Sequence, residues 1–369
     1  MSGAAIQADR QALLCEVVRH AVLAPSSHNT QPWRFRVGDG VLELYADRSR
    51  ALPVNDPHDR ELTISCGAAL LNALLAAGHA GARLDLAVLP EGDESELLAR
   101  VRVVSGASRD DELCAAIARR RTFRKEFADR PVSADARAAL CVAAAAEGAR
   151  LEVLDDGRRA RLIALVAEAD RALFSDRRWR RELAAWIRPR RAGDGLTYPQ
   201  LSAAATRFVV RHFNVGRRIA ARDASLAEGS PVLALLATET DAVADWLRAG
   251  QALERVLLTA TALGLQASYV NQPVQVEALR PHVAGLLRRP GRPQVALRLG
   301  YPREDLPPAP RRPLDAVIRV RPPQPESGDR IVDTGRAGAE SGGGDPRVPR
   351  RERRRIQWRW AHGAHRWRM

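Results

Sequence analysis

Ala24-Pro25-Ser26-Ser27-His28-Asn29-Thr30-Gln31-Pro32-Trp33-Arg34-Phe35 is the stretch around which the chain is organised. Upstream of it Leu13, Leu14, Val17, Val18 and Ala21 recur at helical spacing, which predicts an amphipathic helix over 7–23 that Pro25 brings to an end. Downstream, Trp33 to Val37 alternates as a strand does, Gly38-Asp39-Gly40 supplies turn chemistry, and Val41, Leu42, Leu44 and Tyr45 fit a returning strand. The segment between the two prolines holds no carboxylate. Its small and amide side chains, with their backbone N–H groups, suit a polar, planar, anionic ligand better than a metal or a proton relay. A Ser/Asn-rich connection held only by local side-chain-to-backbone hydrogen bonds would have the same composition.

The 369 residues are 46% hydrophobic, enough for one large or two ordinary domains with a buried core. No apolar run reaches the roughly 18 residues that span a bilayer, and residues 1–10 show no basic segment leading into an apolar one, so a cytoplasmic location is expected. Cys15, Cys66, Cys114 and Cys141 are widely spaced without a CxxC and read as small core residues rather than metal ligands or disulfides. The net charge of +14 is carried almost entirely by arginine, Lys125 being the only lysine. From Arg347 onward nine arginines face Glu352 alone, so most of the excess lies in the last stretch and the body is mildly basic.

Comparing the chain with itself uncovers a repeat. Gly67 and Gly81 bound one apolar helical segment and Gly250 and Gly264 another, at an offset of 183 that also superposes Ala69 on Ala252, Leu70 on Leu253, Leu74 on Leu257, Leu75 on Leu258 and Ala77 on Ala260. Pro90 falls on Pro273 after a strand-like stretch in each copy. Two related halves are therefore expected. The second opens on Arg119-Arg120-Arg121-Thr122-Phe123-Arg124-Lys125-Glu126-Phe127, a guanidinium cluster that can hold a phosphate by bidentate contacts or lie as a solvated basic face. Pro231 to Thr238 reads as a buried central strand, and 293–301 as the last one.

The run from Ala24 to Phe35 resembles the APSxxNxQPWxF segment of FMN-dependent nitroreductases, notably their long actinobacterial Acg-like branch. The arginine run resembles that family's RRSxRxF motif, with Thr122 where serine is usual and one extra residue before Phe127, and Gly300-Tyr301-Pro302 resembles the close of the family core. The resemblance implies an α+β nitroreductase-like fold, a single-chain pseudo-dimer whose halves, 1–110 and 111–323, carry mainly antiparallel sheets surrounded by helices. It implies one FMN between the halves, NAD(P)H as hydride donor and a small nitroaromatic or quinone acceptor. Because the flavin carries the chemistry, no catalytic side chain is assigned.

By the same resemblance Pro25, Ser26, Ser27 and Asn29 belong to the cofactor site, Arg120 and Thr122 contact the phosphate or ribityl chain, and Arg124 lies near the pyrimidine edge. Tyr269, Val270, Asn271 and Gln272 supply backbone along the isoalloxazine, and Arg311 completes the phosphate pocket or stands as an exposed charge. The Arg/Trp-rich stretch 174–229 looks inserted, either as surface helices or as a lid over the flavin. Two rival functions stay open: a flavin-sequestering protein without turnover, and a nucleic-acid binder acting through 324–369, a Gly/Ser/Asp then Arg/Trp stretch expected to be disordered. A monomer or weak dimer is expected, without nucleic acid or membrane as partner.

Overall fold

The computed structural model describes residues 3–104, 110–198 and 200–321; the tail expected from 324 onward lies outside them. In the first part of the chain, helix α1 (Gly3–Ala21) leads through the organising loop into β1 (Trp33–Gly38) and β2 (Val41–Ala46). Helix α2 (Arg60–His79), β3 (Arg83–Val88) and β4 (Leu97–Val104) follow. Asp39 and Gly40 both take positive φ (55° and 70°), the geometry that lets a two-residue hairpin follow the twist of its strands. In β1 buried Trp33, Phe35 and Val37 alternate with half-buried neighbours, as expected where one face of an antiparallel sheet meets the core.

The later part begins with α3 (Asp111–Arg119), then α4 (Ala134–Ala146) and β5 (Arg150–Val153). Helix α4 starts after Pro131-Val132 because Ser133 caps it, its Oγ accepting from the Ala136 N–H at 3.2 Å. The chain then runs through α5 (Asp156–Ser175), α6 (Arg177–Ala185), β6 (Ile187–Pro189), β7 (Leu196–Tyr198), α7 (Gln200–His212) and α8 (Gly216–Glu228) before reaching β8 (Val232–Thr238). Helix α9 (Val243–Ala262), β9 (Gln266–Tyr269), the short α10 (Gln272–Gln275) and α11 (Arg280–Ala284), β10 (Arg292–Gly300) and β11 (Ile318–Val320) complete the described fold.

The two main sheets share one topology. The first runs β1-β2-β4-β3, with β11 added in parallel beside β1; the second runs β5-β8-β10-β9, and all its pairs are antiparallel. Each has its long helix, α2 or α9, between its second and third strands in chain order. Where the first half has a tight hairpin turn between β1 and β2, the second carries α5 to α8 between β5 and β8. That additional layer explains why β8 is buried at every residue: Val232, Ala234 and Leu236 face the α4–α9 core, while Leu233 and Leu235 pack with Leu162 and Val166 of α5.

Helices α2 and α9 pack against each other at the centre. A Cβ on Gly67 would lie 2.0 Å from the Leu247 carbonyl oxygen, and one on Gly250 would lie 2.0 Å from that of Ile64. Leu247 follows Ile64 by the same 183 residues that separate the glycines, so the contact is reciprocal, as across a two-fold axis. Helix α2 is long and apolar enough to cross a membrane, but it is buried in this core. Cys66 and Cys114 are buried and Cys15 and Cys141 half-buried, all four as free thiols.

The added layer also holds a paired acid. Asp170 of α5 is 2% exposed with Oδ2 unpartnered, and Asp223 of α8 accepts from Gln272 Nε2 at 2.9 Å. Burial first, and the nearby Asp223 second, push the Asp170 carboxyl up to about 7 against the opposing pull of Gln272 and Arg171. A carboxyl raised in the folded state favours folding only while protonated, so that contribution fades as pH climbs from its unfolded value near 4 through 7. Asp170→Asn is therefore expected to match the parent at pH 5 and to exceed it at pH 8 by about 1 kcal/mol or more, read from melting curves at the two pH values. An unaltered pH dependence would contradict the assignment.

Candidate functional site

The loop between α1 and β1 is held in an unusual backbone. His28, Asn29 and Gln31 all lie in the left-handed region (φ 53°, 54° and 51°), which costs side-chain-bearing residues on the order of 1 kcal/mol or more each. Polar side chains make that shape obligatory. Ser26 Oγ accepts from the Gln31 N–H at 2.9 Å, Gln31 Nε2 donates to the Gly193 carbonyl at 2.9 Å, and Gln31 Oε1 accepts from the Arg312 N–H at 2.9 Å. The Gly195 N–H donates to the Asn29 carbonyl at 3.2 Å, and Asn29 Nδ2 donates to the Pro310 carbonyl at 3.2 Å. The 193–195 turn of the added layer thus sits directly on the loop, with Asp194 paired to Arg50.

Glu61, in the first turn of α2, joins this loop to the far strand. Its carboxylate accepts from Ser27 Oγ at 2.6 Å, from Asn271 Nδ2, and from Gln275 Nε2 at 3.0 Å. Asn271 in turn accepts the Ala296 N–H on Oδ1 at 3.0 Å, which fixes its amide orientation. His28 lies within the fields of Glu61 and Arg124. Burial depresses its imidazole to about 4 against the pull of Glu61, with the push of Arg124 added, so it is neutral at physiological pH.

The arginine run lies along β9. The Phe123 N–H donates to the Ala267 carbonyl at 2.8 Å and Thr122 bridges Ala267, so the segment extends the sheet edge beside Tyr269. Phe123 and Phe127 stack in the core with centroids 5.3 Å apart, and Arg298 anchors the segment by donating to the Phe123 and Lys125 carbonyls at 2.9 and 3.0 Å. In extended backbone, alternate residues share a side, which groups Arg120, Thr122 and Arg124. Arg121 instead finishes α3, donating to the Ala118 carbonyl at 2.8 Å.

Arg120 is 7% exposed; its Nη2 donates to the Leu23 carbonyl at 3.2 Å, its Nε lies 3.5 Å from Glu254 Oε1, and its Nη1 is buried without a partner. Glu254 is fully buried, and desolvation pushes its carboxyl up to about 7 although Arg120 opposes the shift. Arg311 closes the end of α1, donating to the carbonyls of Val22, Leu23 and Ala24 at 2.7, 2.8 and 3.1 Å. Burial, then Arg120, brings its guanidinium down to about 9. Arg311 therefore has its donors engaged, and Arg120 has one to spare. Arg124 is crowded enough for desolvation to lower its pKa, yet it stays open to water. Tyr269 and Tyr198 are the first neighbours in its field, and burial pushes the Tyr269 phenol upward.

The sequence-derived residues thus converge in part through side chains and in part through backbone. Ser27 and Asn271 meet on Glu61, and Asn29 lies 3.4 Å from Arg311. Pro25 and Val270 are buried, Val270 donating its N–H to the Ala296 carbonyl at 3.0 Å, and Gln272 is turned toward Asp223. Sequence reasoning did not single out Glu61, Glu254, Gln275 or Tyr198, and it gave His28, within the quoted loop, no catalytic role. A signal existed for Glu254: the repeat places Leu71 at its equivalent position, and an acid that replaces leucine inside an apolar helix needs a buried partner.

No family model matches the chain. It is 35% identical over 315 residues, 82% of its length and 90% of the relative's, to a Mycobacterium tuberculosis H37Rv protein named "Putative NAD(P)H nitroreductase Rv3131". It is 32% identical over 313 residues, 82% of this chain and 94% of the relative, to the M. tuberculosis protein named "Putative NAD(P)H nitroreductase acg". Among solved structures, the FMN and NADPH-dependent nitroreductase NfnB of a Sphingopyxis strain aligns with 57% of this chain and 99% of its own at 22% identity and a TM-score of 0.41. The two M. tuberculosis relatives, at 35% and 32% identity over 82% of this chain, define an oxidoreductase-type protein of the nitroreductase class. Within that class the chain belongs to the Acg-like nitroreductase family.

Proposed function

We propose that this chain binds one FMN between its two halves and acts as an NAD(P)H-dependent oxidoreductase whose acceptor is a small nitroaromatic or quinone. The halves are the two arms of a fused dimer: the first brings the Ser26–Gln31 loop, the second brings the arginine segment, and one complete site results. Support comes from the named relatives, from the matching order of the two sheets and from the residues themselves. The observation that carries the reading is Arg120. A buried guanidinium with an unpartnered Nη1, beside Arg311 and close to a loop strained into shape by its own amides, fits the phosphate end of a mononucleotide.

Bound FMN supplies reversible two-electron chemistry at its ring. The chain's residues position it and set its surroundings. Arg120 binds the phosphate, Thr122 the adjoining chain, and Arg124 the polar edge of the ring. Backbone at Tyr269 and Val270 flanks the ring, while Glu61 locks Ser27 to Asn271 so that both sides of the site keep their spacing. His28, uncharged above about pH 4, offers a hydrogen bond without adding charge.

A second reading has its own observation. The bonds between the 193–195 turn and the Asn29–Gln31 backbone and side chains support a reading in which the added layer closes the site, as in a protein that sequesters flavin without turnover. Anaerobic mixing of the purified, FMN-loaded chain with NADPH separates the two. Flavin absorbance that bleaches on mixing and returns with added quinone supports the reductase; bound flavin that NADPH leaves oxidised supports sequestration. A colourless preparation that takes up no added FMN would end both.

A further inference from the structure

A second basic cleft opens beside the proposed flavin site, between the arginine segment, α8 and the turn after β10, with a volume of about 420 Å³. Four cations and two acids line it. Two of the cations are already spoken for: Lys125 Nζ lies 2.7 Å from Glu304 and Arg303 Nη1 lies 3.2 Å from Glu126. Arg124 and Arg222 have neither an ion pair nor a hydrogen bond among the described residues, and Ser225, one turn beyond Arg222 on α8, adds a hydroxyl to the same wall. Arg222 feels the charge of Asp223 beside it on α8 but forms no ion pair with it, and together with Arg124 and the Ser225 hydroxyl it matches a phosphate monoester, which carries nearly two negative charges near neutrality and offers three acceptor oxygens.

We propose that this cleft binds the 2′-phosphate of NADPH, making Arg222 the residue that selects NADPH over NADH. The assignment rests on the reductase reading above and deepens it. Arg124 links the two places: it lines the cleft, and Thr122 two residues before it bridges Ala267 in the strand that ends at Tyr269, so the cleft opens next to the segment assigned to the flavin ring. A mouth is where the 2′-phosphate must go: the adenosine end of a dinucleotide is separated from the nicotinamide by a pyrophosphate and two riboses, and only the nicotinamide needs to reach the flavin. NADH puts a neutral hydroxyl there and leaves the Arg222 guanidinium unanswered. The same chemistry would suit FMN's own phosphate, so the test must tell the two apart.

Adenosine 2′,5′-bisphosphate, titrated calorimetrically into the FMN-loaded chain, should bind at least about tenfold more tightly than 5′-AMP, and Arg222→Ala should remove most of that difference, the loss expected for a charge-assisted contact. In steady state the substitution should raise KM for NADPH about tenfold more than KM for NADH, with Arg222→Lys intermediate. Equal binding of the two nucleotides, or equal rises in both KM values, would overturn the proposal. So would reduced FMN occupancy in Arg222→Ala, which would give the cleft to the flavin's phosphate. Arg222-dependent binding of the bisphosphate by a chain whose flavin NADPH does not reduce would sustain the cleft assignment while defeating the reductase reading.

Discussion

Gly67→Ala is expected to destabilise the fold by on the order of 3 kcal/mol or more, and Gly250→Ala by a similar amount. Overpacking a core ordinarily costs about 1–3 kcal/mol because side chains can shift aside. Here the added methyl meets backbone: 2.0 Å from a carbonyl oxygen in each case, with the partner glycine's Cα within 3.0 Å of either position. Relief would require α2 and α9 to move apart, and these helices join the Leu71–Leu75–Leu258 cluster and both main cores. Urea unfolding of the two single variants provides the measurement. Because the contact is reciprocal, neither glycine should tolerate the change much better than the other. A variant within about 0.5 kcal/mol of the parent would refute the close helix crossing.

The second large effect is expected at Arg120. Arg120→Gln should weaken FMN binding at least about tenfold, seen as flavin released on gel filtration, and should also destabilise the chain because Glu254 would then be a buried carboxylate without its cation. The two consequences separate by pH. The Glu254 carboxyl, already raised to about 7, would rise further without Arg120, so the variant should lose more stability at pH 8 than at pH 6, where protonation removes the stranded charge. Adding Glu254→Gln to Arg120→Gln should restore most of the pH 8 stability and leave FMN binding weak. Flavin retained at parental affinity in Arg120→Gln would show that the phosphate is held elsewhere.

A good deal of the architecture was legible because it depends on short-range sterics. Pro25, the alternation from Trp33 to Val37 and the Asp39-Gly40 turn dictate helix end, strand and hairpin within a few residues of themselves. The repeat was legible as matched glycine spacing at an offset of 183; that Gly67 and Gly250 meet where two helices touch backbone to backbone, a place where a side chain does not fit, came from the structure. The buried β8 was recognisable from its unbroken apolar run, but the layer covering its second face was not, since apolar continuity says that a strand is covered and not by what.

By itself, then, the sequence determined the helix–loop–strand opening and the paired glycine-bearing helices that carry the repeat, each of them encoded by periodicity, turn chemistry or close packing. Tertiary structure alone decided which charges answer one another. Glu61 serves Asn271 across 210 residues of chain, Glu254 rather than Arg311 shares the burial of Arg120, and the 193–195 turn holds the loop that precedes it by more than 160 positions. Pairings of that kind follow from which faces the folded elements present to each other, and a buried carboxylate reads in sequence like any surface acid until its neighbours have taken its water away.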